Sequence, residues 1–144
     1  MVEEMQFVKS LEHLEKVKQF IPVGSQTFSK GWRYFPVGAS PLFIERGEGC
    51  YVWDMDGNRY IDLIMGLGPI TLGYCYPAVD NAIRYQLDKG TIFSLPSPLE
   101  YEMSELLSRI IPCAEMVRFS KTGSEVCQAA VRIARAYTGR TLIL

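Results

Sequence analysis

Glu115-Met116-Val117-Arg118-Phe119-Ser120-Lys121-Thr122-Gly123-Ser124-Glu125 is a short apolar run, a polar turn and the opening of a helix. The first N–H groups of a helix have no partner within it, and the helix dipole favours negative charge there. Two hydroxyls and a flexible glycine stand beside those groups, so a phosphate fits the place. The helix that follows is well signalled: Val126, Ala129, Ala130, Ile133, Ala134 and Tyr137 gather on one side, and Gly139 lies where a terminal glycine belongs. In the simpler reading, Ser124 or Thr122 is an ordinary helix cap. Strands are expected at 115–120 and at 141–144, flanking the helix as one βαβ unit of a parallel sheet. An apolar strand at 141–144 needs covered faces and neighbouring strands, so the sequence reads as an incomplete α/β fold and a fragment.

Working back toward the N-terminus, residues 3–20 carry Met5, Phe7, Val8, Leu11, Leu14 and Val17 at helical spacing, with His13 on the more polar side. Ile21 to Ser40 is rich in Pro, Gly and Ser and reads as an irregular arm. Cys50–Asp54 and Arg59–Leu63 alternate like a hairpin around Met55-Asp56-Gly57-Asn58. Asp54, Asp56 and Asn58 invite comparison with a calcium loop, but the glycine is misplaced and Met65 stands where the bidentate glutamate is needed. This segment is a turn. Pro77–Lys89 is a helix with Pro77 at its start and Gly90 after its end. Ser97-Pro98-Leu99-Glu100 is a capping box opening another, which Pro112 ends.

Composition closes several function classes. The 144 residues are 48% hydrophobic and 22% charged with a formal net charge of −1, ordinary for a globular protein and without the basic footprint of a nucleic-acid binder. No apolar run approaches the roughly 20 residues of a membrane helix. The acidic Met1-Val2-Glu3-Glu4 lacks a secretory plan, which points to the cytoplasm. Cys50, Cys75, Cys113 and Cys127 form no Cys-x-x-Cys and read as buried or partly buried free thiols of a reducing compartment. With His13 the only histidine, a His/Cys zinc site or a serine–histidine triad is unavailable, and no metal site is expected.

Four stretches, in order, resemble class III aminotransferases, the pyridoxal-phosphate-dependent family that includes glutamate-1-semialdehyde aminomutase. They are Pro41 to Asp62; Gly66-Leu67-Gly68-Pro69-Ile70-Thr71-Leu72-Gly73-Tyr74 followed by Pro77-Ala78-Val79; Leu95-Pro96-Ser97-Pro98-Leu99-Glu100; and Met116-Val117-Arg118-Phe119 with Thr122-Gly123-Ser124-Glu125 and Arg132 to Arg140. The resemblance covers roughly residues 20 to 140. It implies an α/β chain, the N-terminal part of a fold-type I transferase: helix, irregular arm, β-meander, then the start of the large-domain sheet. Residues 1–75 would be the arm and small-domain meander, and 76–144 the start of the cofactor-binding domain. The family's Ser-Gly-Thr-like turn holds the phosphate of pyridoxal 5'-phosphate. Carried over, Gly123 offers its N–H and Ser124 its N–H and hydroxyl, with Thr122 adjacent.

The resemblance also implies what to expect of substrate. Aminomutases carry an arginine for the substrate carboxylate a few residues after a Pro-Gly-Gly; here Pro22-Val23-Gly24 is followed by Lys30 at about that place. Lysine pairs with a carboxylate without the bidentate fork. Where the aminomutase pattern has Ser-Trp before Gly-Pro, this chain has Gly66-Leu67, which removes a flat aromatic wall and makes Leu67 a second substrate-side candidate. The partners implied are an amino donor and a carbonyl acceptor, with a homodimer for the full-length protein; Phe93 and Leu95 lie in a loop resembling the one that reaches the neighbouring subunit.

None of Lys9, Lys16, Lys18, Lys30, Lys89 and Lys121 stands in the family's Schiff-base context, so no catalytic residue is assigned. This stretch by itself is expected not to transaminate. The rival reading is a truncated, non-catalytic fragment that serves as an assembly partner or is inert.

Overall fold

The computed structural model describes residues 5–143. After Gly90 the chain divides into two units. The first begins with helix α1, Val8–Val17, followed by the 3-10 turns Pro22–Gly24, Phe28–Lys30 and Trp32–Tyr34. Three antiparallel strands come next, β1 Ile44–Glu48, β2 Tyr51–Asp54 and β3 Arg59–Ile61, in the order β1-β2-β3. Helix α2, Pro77–Leu87, completes the unit.

The β2–β3 hairpin forms around the expected turn, with Tyr51 opposite Ile61 and Trp53 opposite Arg59. β1 joins on the other edge, Glu48 opposite Tyr51, with a bulge between Ile44 and Arg46. Asp54 is fully buried, and its carboxylate organises the turn. It accepts the N–H groups of Asp56 and Asn58, the Asn58 amide and the Tyr60 hydroxyl at 2.8–3.0 Å. Burial and that bond to Asp54 push the Tyr60 phenol well above its ordinary pKa. Residues 55 and 56 form the turn that the sequence predicts.

Asp56 points outward and does a different job. Its two oxygens accept the Lys9 N–H at 2.7 Å and the Ser10 N–H at 3.0 Å, together with the Ser10 hydroxyl. The N-terminus of α1 is therefore capped by a residue 46 positions away, while its neighbour Phe7 offers no side-chain cap. This explains why α1 is shorter than the expected helix over residues 3–20. It begins where Asp56 can reach it and ends before Pro22, whose neighbour Ile21 is extended. Residues 3 and 4 of that expectation lie outside the described residues. Helix and meander enclose a small core of Phe7, Leu14 and Val52, with Ser10 and Asp54 buried beside them. His13 is half-buried with its ring edge-on to Phe43 at 4.8 Å, rather than simply solvated.

The second unit holds α3, Pro98–Ile110, and α4, Gly123–Thr138. Ser97 opens α3 with the expected capping box: its hydroxyl accepts the Leu99 N–H at 3.4 Å, and Glu100 accepts the Ser97 N–H at 3.1 Å. Gly139 closes α4 in the left-handed conformation, φ 68°, as its position predicts. The strands expected at 115–120 and 141–144 are absent among the described residues, and residue 144 lies outside them. A parallel strand exists only through the ladder it makes with neighbours, and the described residues supply none. The apolar stripes of α3 and α4, among them Met103, Leu106, Ile110, Val126 and Ile133, are exposed. The four cysteines are free, but they are exposed rather than buried.

Candidate functional site

Thr122 is extended, φ −130° and ψ 155°, and is the N-cap of α4. Its hydroxyl accepts the Glu125 N–H at 3.3 Å, and its carbonyl accepts the Val126 N–H at 3.1 Å. In return, Glu125 Oε2 accepts the N–H groups of Thr122 at 3.0 Å and of Lys121 at 2.9 Å. The choice of cap left open by the sequence thus falls on Thr122, because Ser124 already lies inside the first helical turn. The pattern Thr-x-x-Glu carries this capping box and could have been read from residues 122–125 alone. Glu125 is the residue of the turn that sequence reasoning missed.

That box consumes the donors on either side and leaves the middle open. Among the described residues, nothing engages the N–H groups of Gly123 and Ser124 or the Ser124 hydroxyl. A Cβ built on Gly123 would meet open space, so a ligand oxygen can approach the backbone there. Two backbone N–H groups and a hydroxyl at the positive end of a 16-residue helix suit a phosphate. Capping falls to Thr122 and Glu125 and leaves Gly123 and Ser124 open, and the residues present fit the phosphate of a cofactor.

Lys30 and Leu67 belong to the first unit, whereas Thr122, Gly123 and Ser124 belong to the second. Lys30 ends the 3-10 turn Phe28–Lys30, exposed, and its backbone N–H reaches Thr27 O at 2.9 Å. Upstream, Val23 holds φ 54° in the left-handed region, unusual for a β-branched residue. Leu67 lies in a turn of the same hand: Met65, Gly66, Leu67 and Gly68 have φ of 51°, 62°, 72° and 113°. Left-handed backbone costs a residue with a Cβ about 1–2 kcal/mol. The turn is closed by Leu67 N–H to Ile64 O at 3.1 Å and Gly68 N–H to Met65 O at 3.0 Å.

Asp62 braces the entrance of the Leu67 turn. It accepts the N–H groups of Ile64 at 2.8 Å and Met65 at 3.1 Å, and the Tyr74 hydroxyl at 2.6 Å. The Tyr74 bond, opposed by burial but aided by the two backbone bonds and by the charge of Lys30, holds the Asp62 carboxyl below its usual range. In turn, Asp62 and partial burial push the Tyr74 phenol up to about 12. No group of three His, Cys, Asp or Glu among the described residues is placed to hold a metal ion. No helix there is long and apolar enough to cross a membrane.

The family model of class III aminotransferases matches residues 34–143. A glutamate-1-semialdehyde 2,1-aminomutase from Chloroflexus aurantiacus is 45% identical over 127 residues, covering 88% of this chain and 28% of that protein. Among solved structures, a transaminase with pyridoxal phosphate bound superposes with a TM-score of 0.85 at 31% identity, over 95% of this chain and 31% of its own. An omega-transaminase from Sphaerobacter thermophilus gives 0.83 at 28% identity, over 92% and 29%. The chain spans less than a third of the length of these relatives.

Proposed function

The chain belongs to the class III aminotransferases, and from that premise we propose that it forms the phosphate-holding and substrate-entry part of an aminotransferase of the glutamate-1-semialdehyde aminomutase kind. Pyridoxal phosphate is the cofactor of this family. When bound, it supplies an electron sink for the carbon that carries the amino group. The protein's task is to hold and aim it. Gly123 and Ser124 donate their N–H groups, and Ser124 its hydroxyl, to the phosphate; Thr122 keeps the turn in shape through its bond with Glu125.

On the substrate side, Lys30 offers a positive charge to a carboxylate and Leu67 a compact apolar wall. The complete enzyme moves an amino group between an amine or amino acid and a carbonyl, works as a homodimer and resides in the cytoplasm. In this reading residues 1–75 are arm and small-domain meander, and 76–144 open the cofactor-binding domain.

The observation that carries the proposal is the filled capping box beside two unspent N–H groups. Ser124→Ala, made in the protein as its gene encodes it, should lose a hydrogen bond to a charged group, about 1.5–3 kcal/mol of cofactor affinity. Equilibrium dialysis against pyridoxal phosphate reads this directly. Equal affinity in the two proteins removes Ser124 from the site.

A further inference from the structure

In the left-handed turn at residues 65–68, Gly66 and Gly68 take positive φ freely, but Met65 and Leu67 carry a Cβ and do so at a cost. Beyond its own closing hydrogen bonds, the turn is held by residues on either side of it. One oxygen of Asp62 takes the N–H groups of Ile64 and Met65 at its entrance, and the other takes the Tyr74 hydroxyl. Tyr74 has little freedom of its own. Its backbone exchanges two hydrogen bonds with Gly49, at 2.8 and 3.0 Å. Its ring lies so close over Gly47 that a Cβ there would be 2.4 Å from Cγ. Gly73 is pressed on the same strand edge, where an added Cβ would fall 2.9 Å from Gly49 O. A chain of contacts thus runs from the meander through Tyr74 and Asp62 to the turn.

We propose that Asp62, braced by Tyr74, is a positioning residue for substrate: it sets the left-handed turn that presents Leu67 and so fixes one wall of the substrate pocket. This rests on the assignment of Leu67 to the substrate side. Asp62 touches neither substrate nor cofactor in this account and acts through the turn.

The test compares Asp62→Ala, Asp62→Asn and Tyr74→Phe in the complete gene product loaded with pyridoxal phosphate. A misplaced wall should raise KM for the amino donor about tenfold in Asp62→Ala, while kcat stays within about threefold. The affinity for pyridoxal phosphate should be unchanged. Asp62→Asn keeps an oxygen for the two backbone N–H groups and should recover most of the loss; Tyr74→Phe keeps the ring on Gly47 and should lie between. Unchanged KM in Asp62→Ala overturns the proposal. So does a parallel fall in kcat and cofactor affinity, the mark of general damage.

A second readout needs no activity. Leu67→Gly removes one of the two Cβ costs in the turn, so Asp62→Ala should lower the unfolding midpoint less in that background than in the wild type. Equal shifts overturn the proposal. If the wild-type protein neither binds pyridoxal phosphate nor turns over an amine, the functional reading fails while this cycle still judges the brace.

Discussion

Asp54 shows how much one carboxylate can organise. It is fully buried and receives four hydrogen bonds, two from backbone and two from side chains, all from the turn it opens and the strand that follows. Removing it strands several donors at once, each worth about 1–3 kcal/mol when left unpaired in the interior. Asp54→Ala should therefore cost at least about 3 kcal/mol in urea unfolding. A loss below about 1 kcal/mol would mean that water replaces the carboxylate freely. The sequence showed Asp54, Asp56 and Asn58 as a turn. It did not show that Asp54 faces inward and Asp56 outward to another element, because strand alternation assigns faces but not long-range partners. At 122–125 the Thr-x-x-Glu signal for the cap was present but unread, and the choice between Thr122 and Ser124 stayed open until the structure assigned Thr122. By contrast, the left-handed backbone at Val23, Met65 and Leu67 had no signal, since none of these residues favours it.

At the scale of elements, helix α1 depends on the meander for its N-cap. Burial raises the Asp56 carboxyl pKa, but the Ser10 hydroxyl, the N–H groups of Lys9 and Ser10 and the Lys9 charge outweigh it and hold it below the ordinary value. A carboxyl depressed in the folded state contributes its full stability above the unfolded pKa of about 4 and loses it as pH falls through the folded value. Docking of α1 should thus be intact at neutral pH and weaken only below about pH 4, with Asp62 failing in the same direction. Asp56→Ala should imitate the acid form at neutral pH, costing about 1–2 kcal/mol as a lost cap. Hydrogen exchange at the amides of Lys9 and Ser10 measures it. Unaltered protection there contradicts the capping assignment. Helices were the most legible elements, since α2, α3 and α4 each carry a stripe and a start or stop signal. Strands at 115–120 and 141–144 were misread because an apolar run states a preference for burial and not which neighbours supply it.

Seen as a whole molecule, the chain carries the family pattern over residues 34–143 yet less than a third of its relatives' length. Its meander, its helices and the turn that opens α4 were legible because each rests on contacts local in sequence or on a cap. Its apolar stripes were legible too, but what covers them was not, because burial is a property of the assembled fold. Phe93 and Leu95, in the loop assigned to a subunit interface, are exposed by 50% and 79%. If the complete enzyme is a homodimer through this loop, Leu95→Glu should bury a charge against its partner and shift sedimentation from dimer to monomer. A dimer unaffected by that charge places the interface elsewhere.

The most direct test is a crystal structure of the complete gene product with pyridoxal phosphate. The account predicts phosphate oxygens at roughly 2.7–3.2 Å from the N–H groups of Gly123 and Ser124 and near 2.7 Å from the Ser124 hydroxyl, with Thr122 still capping α4 through Glu125. A phosphate bound away from this turn, or a Thr122 hydroxyl drawn off its cap to replace Ser124, would contradict it.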